Sequence, residues 1–128
     1  MKSVLAVCLS PTFQRMLVFP SFAENEVNRS TQVLEIASGK GINVSRVLNL
    51  LGRPCTNLIQ LGGRRVPEFL DFCLQDGLDV VYLPVEADIR TCTTVINEKD
   101  HTSTELVEEA RTVEENDSDR FFSLFLSL

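Results

Sequence analysis

A single histidine and the lack of any C-x-x-C pair are the first constraints on this 128-residue chain. Cys8, Cys55, Cys73 and Cys92 are widely spaced and His101 sits in a charged stretch. A zinc centre, which needs clustered ligands, is therefore not expected. Cys8 and Cys73 fall in apolar runs, where a thiol behaves as a small buried hydrophobe. Reduced thiols of this kind fit a cytoplasmic protein. Long hydrophobic runs are missing too. Residues 121–128 are rich in Phe and Leu but far too short to span a bilayer, so no membrane partner is expected. The start, Met1 to Cys8, has the outline of a lipoprotein leader, but its apolar run is too short and Val7 poorly precedes a cleavage site. Basic charge is scarce: the formal net charge is −6, which does not favour nucleic acid. Residues 98–119 hold nine acids and two bases, so most of that charge lies in one late segment that reads as a solvated face. The rest of the chain does not repel anions.

What the chain does have is a hydrophobic content of 44% and a charged content of 23%, ordinary for one globular domain with a real core. Its most telling segment is Ala37-Ser38-Gly39-Lys40-Gly41-Ile42-Asn43-Val44-Ser45-Arg46, where an apparent strand gives way to a helix. Glycines let the backbone approach a ligand closely, and a helix start offers unpaired N–H donors at the positive end of its dipole. Lys40 adds a mobile charge and Asn43 a neutral donor and acceptor. This combination suits a phosphorylated or polyhydroxylated small molecule; it also suits an ordinary helix start with an incidental lysine. Two nucleotide cradles are excluded. A P-loop needs glycine where Leu34 stands and Ser or Thr where Gly41 stands, and a dinucleotide fingerprint needs glycine at Val44.

Around this segment the pattern alternates between strands and helices. Residues 3–9 and 56–61 are near-continuous apolar runs, as expected of strands buried on both faces, and 79–83 is a third such strand. A helix is expected over 41–51, with Val44, Val47, Leu48 and Leu51 as its apolar stripe and Gly52 as its stop; Asn43 and Arg46 fall off that stripe. A second helix is expected to begin near Pro67, to turn Val66, Phe69, Leu70 and Cys73 inward, and to end at Gly77. Short links between these elements imply a parallel sheet built from βαβ units. Residues 15–19 and 27–36 read as strands with a wet face, and 91–97 with 102–107 as a hairpin. Residues 113–128 read as a third helix with little polar face at its end, which either packs on its own chain or lacks a cover.

Several segments together resemble the ribokinase-like PfkB sugar kinases, in particular the branch acting on already phosphorylated hexoses. Leu9-Ser10-Pro11-Thr12 is similar to the family's Leu-Asn-Pro-Ala opening, and Asn25-Glu26-Val27-Asn28-Arg29 to its Gly-Glu-Val-Asn-Arg. Ser38 to Leu48 follows the Gly-Gly-Lys-Gly-Ile-Asn-Val-Ala-Arg-Val-Leu signature almost throughout. Arg90-Thr91-Cys92 and Thr104-Glu105-Leu106 resemble two later motifs. The resemblance implies an α/β chain, the N-terminal part of a ribokinase-like three-layer fold, with residues 15–36 and 91–107 forming a β lid that also serves as a homodimer interface. It implies that Gly39, Lys40, Asn43 and Arg90 bind a phosphorylated hexose, such as fructose 1-phosphate or tagatose 6-phosphate. Lys40 as a point charge and Arg90 as a fork would share the phosphate. Gln14 stands where the family has an Asp for sugar hydroxyls. The family uses ATP and magnesium, but its Gly-Ala-Gly-Asp segment has no match here. Residues 1–128 therefore read as one incomplete domain without the nucleotide-binding half or a catalytic residue. The expected role is acceptor binding without catalysis by this chain alone. The other readings are a non-catalytic sugar-phosphate-binding or dimerisation module, and a truncated product without independent function.

Overall fold

The computed structural model describes residues 4–128. The element order is β1 (Val4–Cys8), β2 (Thr12–Phe19), β3 (Gln32–Ser38), α1 (Lys40–Leu50), β4 (Cys55–Gly62), α2 (Val66–Gln75), β5 (Asp79–Val85), β6 (Arg90–Asn97), β7 (Thr102–Val107) and α3 (Glu115–Ser127). Ser3, expected to open the first strand, lies outside the described residues, as do Met1 and Lys2.

Two sheets result. β1, β4 and β5 form a three-stranded parallel sheet with β4 in the middle. Its central strand is apolar on both faces because both are covered. Ile59 and Leu61 point towards Ile42 of α1 and Phe69 and Cys73 of α2. Leu58 points the other way, with Leu83, towards Phe121 of α3. The chain is thus an α/β structure with the parallel sheet that the alternating pattern implied, in the three layers that the family resemblance implied.

The second sheet has the order β3-β2-β6-β7. β2 runs parallel to β6 and antiparallel to β3, while β6 and β7 form the expected hairpin. Phe13 starts one face of this sheet and packs edge-on against Phe69, with ring centroids 5.4 Å apart. One core, containing Cys8, Phe13, Ala37, Ile42 and Phe69, therefore joins the two sheets.

Two local expectations need correction. The strand expected over 27–36 starts only at Gln32, because Asn28 turns its side chain back on the preceding loop. Its Oδ1 accepts from Ala23 N–H at 2.9 Å and its Nδ2 donates to Ala23 O at 2.7 Å, which closes the segment as a turn. The second correction concerns α1, whose bounds match but whose orientation does not. Val44, Val47 and Leu51 are 51%, 55% and 69% exposed, and the buried face is Gly41, Ile42 and Ser45. A Cβ on Gly41 would lie 2.8 Å from Cys8 Cβ, so glycine permits a close approach to β1 that larger residues forbid. Ser45 then reaches Asn57 Oδ1 at 2.6 Å. Steric fit and a buried hydrogen bond choose the face over the greasier stripe.

α3 reconciles both readings of the last segment. Phe121 is buried on the central sheet, whereas Phe122, Phe125, Leu126 and Leu128 remain exposed. Among the described residues no helix is long and apolar enough to cross a membrane.

Candidate functional site

The site grows from the junction between β3 and α1. Gly39 caps α1 with φ 134°, and a Cβ there would sit 2.5 Å from Cys8 Sγ. Any other residue would be strained in the backbone and would collide with the thiol beneath. Among the described residues no side chain caps this helix, and the first internal bond is donated by Asn43 N–H to Gly39 O at 2.9 Å. The preceding N–H groups of the first turn are left facing outward at the positive end of α1.

The second sheet supplies the opposite wall. Register fixes its membership: Thr12 pairs with Ser38 and Arg90, Gln14 with Ile36 and Cys92, and Cys92 with Val107. Residues directly opposite share a face, so Thr12, Gln14, Ser38, Arg90 and Cys92 all stand on one side of the sheet. That side closes over the start of α1 and leaves a cleft of about 760 Å³. All five residues expected from the sequence, Gln14, Gly39, Lys40, Asn43 and Arg90, line it. Sequence reasoning missed Ser38, Cys92 and Glu105, which line it as well. The alternation of β2 and β6 carries that information only once the register between them is known.

Each polar side chain is held differently. Lys40 is exposed and takes part in none of the ion pairs among the described residues, so its ammonium is free to meet an anion. Arg90 donates from Nη1 to Glu108 O at 2.9 Å, while its Nε is buried without a partner among the described residues. Gln14 donates from Nε2 to Thr94 Oγ1 at 2.8 Å, which leaves its carbonyl oxygen as the remaining acceptor. Asn43 Oδ1 accepts from Arg46 Nη1 at 2.9 Å and from Ser38 Oγ at 3.3 Å. Arg46, which like Asn43 falls off the expected apolar stripe, lies behind Asn43 and outside the residues that line the cleft. Chemically, the cleft offers one mobile cation, one anchored guanidinium, helix-start donors, neutral amides and one carboxylate, that of Glu105.

Residues 7–125 match the description "pfkB family carbohydrate kinase". The chain belongs to the PfkB family. Tagatose-6-phosphate kinase of Staphylococcus epidermidis is 27% identical to this PfkB chain over 125 residues, 98% of this chain and 40% of the relative. The chain thus spans about two fifths of the length of the curated relatives it matches. Among solved structures, phosphofructokinase-2 of Escherichia coli in complex with fructose-6-phosphate superposes with a TM-score of 0.92 at 19% identity, covering 100% of this chain and 42% of that one. That identity speaks for the fold alone. A Thermotoga maritima protein described as a possible 1-phosphofructokinase gives a TM-score of 0.87 at 26% identity, over 97% of this chain and 40% of that one. The architecture is the N-terminal portion of the ribokinase-like fold of PfkB kinases.

Proposed function

We propose that this chain forms the acceptor-binding portion of an ATP-dependent sugar-phosphate kinase, and that its cleft takes a phosphorylated hexose such as fructose 1-phosphate or tagatose 6-phosphate. The observation that carries this reading is the convergence of Lys40, Arg90 and the uncapped start of α1 on one cleft. A phosphate dianion is met there by a point charge, a fork and backbone donors. Gln14, with its carbonyl oxygen free, accepts from a sugar hydroxyl, and Asn43 donates to a neighbouring one.

The reading divides labour in phosphoryl transfer, which depends on holding donor and acceptor together. ATP and magnesium belong to the proposed whole kinase. Among the described residues no three Asp, Glu, His or Cys side chains gather to hold a metal ion, and the single carboxylate of the cleft, Glu105, stands among cationic and neutral groups. They do not fit magnesium, and no step through it or through ATP runs on these side chains. The chain alone is proposed to bind and not to transfer.

The face that carries Gln14 and Arg90 also exposes Leu34, Ile36 and Val107. We propose that this sheet acts as a lid over the bound sugar and pairs with a second copy through those apolar residues.

Titration calorimetry with fructose 1-phosphate and tagatose 6-phosphate tests the acceptor site. Saturable binding is expected with at least one of them. Lys40→Ala and Arg90→Ala should each weaken it roughly tenfold to a hundredfold, the scale of a lost charge-assisted hydrogen bond. No saturable binding to the wild-type chain, or full affinity in both variants, would sink the reading.

A further inference from the structure

We infer that Arg46 is a positioning residue for the cleft: tethered from behind, it fixes the side-chain amide of Asn43 so that its nitrogen, and not its oxygen, faces the ligand. The inference deepens the acceptor-site reading and rests on it for its functional meaning.

Arg46 leaves α1 one turn after Asn43 and does not line the cleft. Its guanidinium is held at three points. Nε and Nη2 reach Asp76 Oδ2 at 2.8 and 2.7 Å, and Nη2 also donates to Ala37 O. Asp76 is the C-terminal cap of α2, and Ala37 is the penultimate residue of β3. Two elements, α2 and β3, therefore fix the guanidinium before it touches Asn43. Nη1 is then left to donate to Asn43 Oδ1 at 2.9 Å.

The chemistry of arginine decides the amide's orientation. A guanidinium carries five donors and no acceptor, so the atom facing it must be the amide oxygen. Ser38 Oγ, at 3.3 Å, reinforces the same choice because its hydroxyl can donate to that oxygen. Both lone pairs of Oδ1 are thereby used within the protein. Nδ2 donates to no acceptor among the described residues, and Asn43 lines the cleft. Without Arg46 the amide could rotate by half a turn and offer its oxygen to a sugar hydroxyl or to a phosphate. The oxygen repels the phosphate. Arg46 therefore sets donor polarity at one position of the acceptor cleft, and Asp76 sets Arg46.

Two measurements on the 128-residue chain test this. The first needs no ligand. Heteronuclear NMR should show a coupling across the hydrogen bond from Arg46 Nη1 to the Asn43 side-chain carbonyl. The Asn43 Nδ2 protons should exchange freely with water. Protected Nδ2 protons, or Asn43 side-chain signals unchanged in Arg46→Met, would overturn the inference. The second measurement is a double-mutant cycle with fructose 1-phosphate and tagatose 6-phosphate as probes. Arg46→Met and Asn43→Ala should each weaken binding about tenfold, and the double variant should bind no worse than Asn43→Ala alone. Asp76→Asn, which leaves Arg46 in place but loosens it, should move affinity in the same direction. Additive losses would show that Arg46 acts independently of Asn43 and would overturn the inference. If neither probe binds the wild type, the acceptor reading fails, and the NMR result alone decides whether Arg46 orients the amide.

Discussion

Gly39 joins backbone geometry to chemistry at a single residue. Its φ of 134° lies where residues with a side chain are strained, and Cys8 Sγ occupies the space a Cβ would need. Gly39→Ala should therefore cost roughly 1–3 kcal/mol of stability through backbone strain, with more from the collision. Urea unfolding of the wild type and the variant measures it; an unchanged midpoint would contradict the geometry. A different thiol of the same core, that of Cys73, is kept inert. Burial pushes Cys73 up to about 11, against a smaller downward pull from Arg46. Cys8, Cys55 and Cys92 are buried as well, although only Cys8 and Cys73 could be placed inside from their apolar surroundings in the sequence. Gly39, Lys40 and Asn43 were legible because they are contiguous on the chain. Gln14 and Arg90 came only from the family resemblance, since they stand 26 and 50 positions from Lys40. The hold of Thr94 on Gln14 was not legible at all, because it depends on a register between distant strands.

At the level of elements, Arg65 links α2 to the second sheet. It donates from Nε to Glu68 Oε2 at 2.7 Å, reaches Glu35 of β3 through Nη2, and lies 3.7 Å from the centre of the Phe13 ring of β2. The hydrogen bond from Arg65 holds the Glu68 carboxyl below its ordinary value of 4.5. A depressed carboxylate contributes stability above its unfolded value and loses it as pH falls through its folded value. Glu68→Gln should thus be slightly less stable than wild type at pH 7, within the roughly 0.2–1 kcal/mol of exposed pairs. The gap should close once the pH drops well below about 4.5. Unfolding curves across that range check it, and a gap that persists in acid would assign it to another cause. Helix α2 and strands β4 and β5 could be read from pattern because their apolar residues do face the core. Helix α1 could not: its Val44, Val47 and Leu51 stripe obeys helical spacing but faces outward, while Gly41 and Ser45 are inside. Hydrophobic periodicity reports which face prefers burial. It is silent on how closely a neighbouring strand must approach.

For the whole molecule, the decisive feature is that one sheet serves two surfaces. Near Phe13 it packs on α2, and its other face carries both the cleft and the apolar residues Leu34, Ile36 and Val107. The proposed pairing of two copies through that face predicts a concentration-dependent dimer in sedimentation velocity. Leu34→Asp should shift the population towards monomer without lowering the unfolding midpoint, because Leu34 is already exposed in the single chain. A monomer at all concentrations, or a dimer indifferent to the substitution, would remove the lid face as the interface. The parallel sheet of βαβ units was legible from the order of strands and helices, and its three-layer setting from the family resemblance. The arrangement of the second sheet was not, because its central pair, β2 and β6, is parallel and joined by most of the chain.

That parallel pair also sets an order of events in time. Thr12 meets Arg90 across 78 positions of sequence, a closure that gains nothing until β4, α2 and β5 have drawn the chain together. The start of α1, with its glycines and Lys40, is local and forms early. Arg90 reaches it only when the last long-range strand docks. A chain in which β6 has not docked therefore carries Lys40 and the start of α1 without Arg90. On the proposed reading, a sugar phosphate held by both Lys40 and Arg90 would favour the docked strand over the undocked one.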